Sequence, residues 1–192
     1  MNTFKKITGG TPEEVYNKFP WLKEAEFSDA EVNINYDVIV WQGGEWQYGI
    51  WKEGVWEGGL WKDGIWEGGE WKDGIWEGGI WEGGRWKGGV WKEGIWEGGF
   101  WEGGEWKDGI WSYGNWRCGF WKDGVWEYGL WRDGDWEYGV WKDGTWEGGE
   151  WEDGVWKNGT WQGGEWKKGK MWDNLTSKYI NVKYNGDRFE KI

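Results

Sequence analysis

The 192-residue chain contains no histidine, one cysteine and two prolines. The missing imidazole removes the commonest general base, the commonest metal ligand and the usual partner of a nucleophilic Ser or Cys. Cys118 has no second cysteine to pair with and reads as an incidental reduced thiol. No apolar run approaches the length of a membrane span, and residues 1–10 carry Lys5 and Lys6 without an apolar stretch of signal-peptide type. The expected location is therefore cytoplasm or a virion. Surplus positive charge is also missing. The net charge of −12 argues against nucleic acid and against an anionic membrane as ligand, since both reward Lys and Arg. The acids that precede glycine, such as Asp63, Asp73 and Asp108, lack the Gly-Gly-x-Gly-x-Asp spacing of calcium-binding β-rolls. A turn favours Asp before Gly without any metal. Carboxylates are spread evenly, so none stands out as an acid or base. These absences predict a non-enzyme with no catalytic, cofactor-binding or metal residues.

What the chain does contain is a five-residue unit repeated without a gap from Trp41 to Lys170, with Trp first and Gly fourth in all 26 copies. Only Trp21 and Trp172 of the 28 tryptophans lie outside the array. A helix would rotate residues five apart by roughly 140° and spread the indoles around its whole surface. In a straight strand, an odd spacing would place successive Trp on opposite faces. The chain must bend once per pentad. Dipeptides such as Asp63-Gly64, Gly68-Gly69 and Asn158-Gly159 supply the bend, because Gly tolerates positive φ.

Two bends fit. Reversal gives a hairpin meander, which places Glu67 opposite Glu70 and Glu70 opposite Glu77 and leaves a Trp-covered face bare to water. A corner gives a β-solenoid. With four pentads per coil, residues twenty apart stack, and the fifth positions form an apolar column (Val40, Leu60, Ile80, Phe100, Phe120, Val140) and a mostly polar one containing Glu45, Arg85, Glu105 and Glu165. The expected fold class is all-β: a quadrilateral repeat solenoid spanning residues 41–170, with an N-terminal cap (1–40) and a C-terminal capping hairpin (171–192).

Framed as Gly-x-Trp-x-x, the array resembles the pentapeptide-repeat family. That resemblance implies a square right-handed β-helix in which Trp61, Trp66, Trp71 and Trp76 fill one coil and Gly59, Gly64, Gly69 and Gly74 are the small inward residues. Trp stands where that family has Leu or Phe, and Gly where it has Ala. The unit is also similar to the core of the MORN repeat, without its 23-residue period or its Tyr. It resembles the Trp-x-x-Gly repeat proteins of tailed phages too, which implies a virus-associated origin and no particular activity.

At the N-terminus, Thr11-Pro12-Glu13-Glu14 is a capping box with Pro at the first helical position, predicting a helix from Pro12 to about Phe19, ended by Pro20. Alternation from Glu31 to Val38 predicts a strand over about 31–40. Phe27 and Val32, with Ala30, read as one degenerate pentad. At the other end Met171 stands where Trp is expected, and Asn185-Gly186 predicts a two-residue hairpin turn between Tyr179–Tyr184 and Asp187–Ile192.

Second positions alternate Lys and Glu over long stretches, as in Lys52, Glu57, Lys62 and Glu67, which predicts a mixed-charge surface of weak ion pairs. The Trp are expected in the core. Tyr48, Tyr113, Tyr128 and Tyr138 are the expected exposed aromatics, and a carbohydrate-binding surface ranks third among the functional readings. The first is a non-catalytic structural or interaction rod with an unidentified protein partner or with self-association, end to end or side by side. The second is an acidic DNA mimic that inhibits a DNA-acting enzyme. Four pentads per coil give a rod of roughly 31 Å, over which duplex DNA carries about 18 charges. The array's 25 acids and 15 bases fall short of that.

Overall fold

A computed structural model describes residues 2–192 of the chain. Each pentad contributes a two-residue strand, made of the fifth-position residue and the Trp that follows, and a three-residue bend. These strands run from β4 (Ile50–Trp51) to β27 (Glu165–Trp166) and follow three longer ones, β1 (Phe4–Thr8), β2 (Glu26–Asn35) and β3 (Val38–Tyr48). Pairing is parallel and joins residues fifteen apart: Ile80 lies between Ile65 and Ile95, and Trp81 between Trp66 and Trp96. The array is thus a parallel β-solenoid of about nine turns. The parallel ladder rules out the meander.

Three pentads, not four, complete a coil, and this corrects the quadrilateral expectation. The cause is the size of the indole. Trp81, Trp86 and Trp91 follow one another around the section with centroids 5.9 Å apart and planes at 76° and 75°, so the edge of one ring meets the face of the next. Rings about 6 Å apart around a square would leave diagonals of roughly 8 Å and a hole in the middle, which close packing disfavours. Three rings close the section. Along the axis each indole stacks on the one fifteen residues away, as Trp81 does on Trp96 at 4.8 Å and 6°. Both arrangements are favourable for aromatic quadrupoles. Every array Trp is buried except Trp161, which is half-buried near the C-terminal end.

The rod has three faces. The first runs through Trp41, Trp56 and Trp71, the second through Trp46, Trp61 and Trp76, and the third through Trp51, Trp66 and Trp81. The ladder between coils uses second- and fifth-position amides. Glu97 N–H donates to the Trp81 carbonyl at 2.8 Å, and Ile95 N–H to the Gly79 carbonyl at 2.9 Å.

The fourth-position glycine makes the corner. Gly94 has φ +129°, and a Cβ there would lie 2.5 Å from the carbonyl oxygen of Gly79 and 3.2 Å from the Trp76 Nε1. A Cβ at Gly59 would likewise meet the Gly44 carbonyl oxygen at 2.5 Å. The inward-pointing role implied by the pentapeptide-repeat resemblance therefore gives way to a different one. These glycines let one coil's backbone lie against the next, and the indole is only the second neighbour.

The N-terminal helix α1 (Pro12–Lys18) forms where the capping box places it, with Glu14 N–H donating to Thr11 Oγ1 and Thr11 N–H to the Glu14 carboxylate. The single strand expected over about 31–40 is two strands, because Tyr36 adopts φ +57° and the chain reverses between Asn35 and Val38. β2 then crosses the first coil antiparallel to β3 and is flanked by β1, a strand with no counterpart among the sequence expectations. Phe27 and Val32 are not a pentad. They are buried beneath the first coil, opposite Trp46 and Trp41, and the Phe27 ring lies 6.2 Å from Trp46 at 15°, continuing that stack.

At the far end β28 (Lys170–Asp173) seats Met171 beside Trp156 in the third column. It pairs antiparallel with β29 (Lys178–Tyr184), which pairs in turn with β30 (Phe189–Lys191). Phe189 packs edge-on against Trp166 at 4.8 Å and Trp161 at 5.6 Å. The turn at Asn185-Gly186 opens to Asn185–Arg188, because Asn185 Oδ1 accepts the amides of both Asp187 and Arg188.

Candidate docking face

The sequence singles out no catalytic, cofactor or metal residues, so the candidate site lies in how the repeat distributes its outward side chains. In each pentad the Trp points inward while its two neighbours, fifth position before and second position after, point out. With coils of fifteen residues, the three faces differ.

On the first and second faces the outward residues are mixed and joined from coil to coil. Lys72 pairs with Glu57 at 3.1 Å and Lys87 with Glu70 at 2.9 Å on the first face, and Lys92 with Glu77 at 2.9 Å and Lys122 with Glu105 at 3.1 Å on the second. Glu105 beside Lys122 raises the ammonium pKa, and Lys62 beside Glu45 lowers the carboxyl pKa. Among the described residues nine ion pairs link coils across these two faces, while the third has one, Lys142 with Glu127 at 3.0 Å.

From Ile50 to Val155 the fifth positions of the third face are all β-branched: Ile50, Ile65, Ile80, Ile95 and Ile110 in register, followed by Val125, Val140 and Val155, with Lys170 closing the column. They form a stripe one residue wide along the rod. The stripe is partly open to solvent, since Ile95 and Ile110 are 37% and 38% exposed. Beside it Glu67, Glu82 and Glu97 follow one another on successive coils, and the corner on its other edge carries Asp63, Glu93 and Asp108. None of these six acids has an ion-pair partner among the described residues. Stacked like charges destabilise a sheet. On the other faces most acids are paired, with Asp135, Glu137 and Glu165 of the second as exceptions, whereas the third face stacks three bare glutamates on successive coils.

Columns spaced twenty residues apart, as four pentads per coil would give, mix all three faces. They put Val40, Leu60 and Ile80 in one column, although these belong to the first, second and third faces respectively. That spacing hides the Ile/Val stripe, which fifth positions taken at a spacing of fifteen reveal in the sequence. Next to its N-terminal end a cavity of about 260 Å³ is lined by Trp21, Glu24, Tyr48, Ile50, Lys52 and Ile65.

Tyr48, Tyr113, Tyr128 and Tyr138 are exposed, as the sequence predicts. Tyr113 and Tyr128 stack on each other at 5.9 Å and 8°, so each covers part of its neighbour. Cys118 is exposed, and its thiol donates to the Glu102 carbonyl at 2.9 Å. The third-position aspartates serve the corners: Asp63, Asp108 and Asp123 each accept the amide of the next glycine at 2.6–2.7 Å. No helix among the described residues is long and apolar enough to cross a membrane. Comparison with known protein families, curated proteins and solved structures finds no match for the chain.

Proposed function

We propose that the protein is a non-catalytic interaction protein, a stiff Trp-cored rod that presents one face to a protein partner. The difference between the faces carries this reading. One repeat unit builds all three, yet the first two carry nine ion pairs between coils and the third keeps an aliphatic stripe with three bare glutamates stacked beside it. Departures from locally favourable design tend to mark function. The resemblance of the Trp-x-x-Gly unit to tailed-phage repeat proteins supports a virion-associated setting.

The DNA-mimic reading draws on the same unpaired acids. Magnitude weighs against it. At three pentads per coil the rod lengthens to about 42 Å, over which duplex DNA carries about 24 charges. The array has 25 acids offset by 15 bases.

A photo-crosslinking residue placed in turn at Arg85, Glu105 and Ile95, one per face, tests the proposal in cells. An interaction protein gives a discrete cross-linked protein from at least one face. No discrete product from any of them overturns the reading, and a DNA topoisomerase as the product moves it to the mimic.

A further inference from the structure

Between Ile65 and Ile110 the third face combines two features: apolar side chains in single file, and acids on both edges. Its backbone is already committed, because each inner strand pairs with a coil above and a coil below, so no strand can add to it through main-chain hydrogen bonds. The occupant must engage side chains along the rod axis. An α-helix laid lengthwise does this. Its apolar residues at i, i+3, i+4 and i+7 form one stripe advancing about 5.4 Å per turn. The coils advance 4.8 Å, judged from the Trp81–Trp96 stack. The two periods drift apart by roughly 0.6 Å per turn, so ridges and rungs stay in step over about four turns. That is the extent of Ile65, Ile80, Ile95 and Ile110.

Charge selects the partner. Glu67, Glu82 and Glu97 on one side and Asp63, Glu93 and Asp108 on the other want cations flanking the apolar ridge. A second copy docked through the same face would set acidic rows against acidic rows. We propose that this face binds a basic amphipathic helix of a partner protein, with Leu- or Ile-type residues on the stripe and Lys or Arg along both edges. At the N-terminal end the cavity beside Trp21 offers room for one large apolar side chain of the same helix. The proposal rests on the reading of the rod as an interaction protein and specifies its partner's chemistry.

The test uses the full chain and three labelled 15-residue probes, with binding followed by fluorescence anisotropy at physiological salt. One is a Leu/Lys peptide with Leu at i, i+3, i+4 and i+7, one has the same composition with the period shuffled, and one is the patterned Leu/Glu counterpart. Two variant pairs alter the third face, Ile80→Thr with Ile95→Thr and Glu82→Gln with Glu97→Gln. A charge-matched pair, Glu137→Gln with Glu147→Gln, alters the other two faces. All use residues the repeat already accepts in those slots, at Thr145, Thr160, Gln42 and Gln162, and thermal melts confirm folding. The patterned Leu/Lys peptide should bind the parent and lose at least tenfold in affinity with either third-face pair. The other-face pair should change affinity less than twofold, and the Leu/Glu peptide should not bind.

Equal losses for all three pairs, equal binding of the shuffled peptide, or no binding to the parent each overturn the proposal. So does a concentration-dependent dimer abolished by Ile80→Thr with Ile95→Thr, which would make a second copy the occupant. Cross-links arising only from Arg85 or Glu105 would sink this inference while leaving the interaction reading intact. Cross-links from no face would remove both.

Discussion

At the residue scale the pentad assigns each position a single physical task. Gly94 illustrates the fourth: its φ of +129° and the 2.5 Å approach of the Gly79 carbonyl oxygen leave no space for a methyl group. Gly94→Ala should therefore lower stability by about 1–3 kcal/mol, as overpacking does, with strain at positive φ adding to it. Gly98, a third-position residue, has ordinary φ, and a Cβ there would sit 3.5 Å from the Glu82 carbonyl oxygen. Gly98→Asp should change stability by less than about 0.5 kcal/mol, since Asp143 already occupies the same corner position three coils along. Paired thermal melts check this, and equal shifts would show the corner to be misread. A second residue departs from its surroundings electrostatically. The Asp135 carboxyl is pushed up, first by burial and then by the neighbouring charges of Glu150 and Asp133. A carboxyl whose folded pKa lies above its unfolded one destabilises the fold once ionised, and the penalty disappears as pH falls below the unfolded value. Asp135→Asn should thus raise the melting temperature at pH 7 and leave it nearly unchanged at pH 3. A stabilisation of the same size at both pH values would exclude this electrostatic cause.

At the level of the strand and its corner, register is the property that matters most, because a coil of fifteen residues and one of twenty put different residues side by side. The third-position corner gives a direct test. A Cβ at Gly103 would lie 3.9 Å from the Cys118 Sγ, one coil above. Neighbouring parallel strands hold their Cα atoms within the range a disulfide spans. Gly103→Cys should oxidise to an internal disulfide with Cys118 under mild oxidant, whereas Gly98→Cys, twenty residues before Cys118, should keep both thiols free. Thiol titration and intact mass distinguish them. A disulfide from Gly98→Cys would restore the four-pentad coil. The caps follow the same logic of register, since Phe27 below Trp46 and Phe189 beside Trp166 continue the aromatic packing past the ends of the array.

For the whole molecule, a solenoid's stability is close to a sum of coil contributions and nearest-neighbour interfaces. Removing residues 81–95 deletes one full coil and restacks Ile80 on Ile110, with the faces still aligned. The shortened protein should fold cooperatively and lose only a few degrees of melting temperature. In both forms the Trp emission should be blue-shifted and protected from a soluble quencher, because the array indoles are shielded from water. Emission typical of hydrated indole in the parent would contradict the core described above.

Local chemistry was enough to determine much of this protein from sequence. The Trp/Gly period demands one bend per pentad, excludes helix and buries the indoles. The capping box at Thr11 sets α1, since caps and corners depend on residues next to each other in the chain. The number of pentads per coil is different, because it follows from how many indoles close a section edge to face. That is a packing property of residues such as Trp81, Trp86 and Trp91 taken together. Until that number is known, Ile65, Ile80 and Ile95 are scattered fifth-position residues, and Glu67, Glu82 and Glu97 belong to an alternating series. Only the tertiary structure decided that three rings fill the section, and with that it placed the isoleucines in a single file and the unpaired acids at its side.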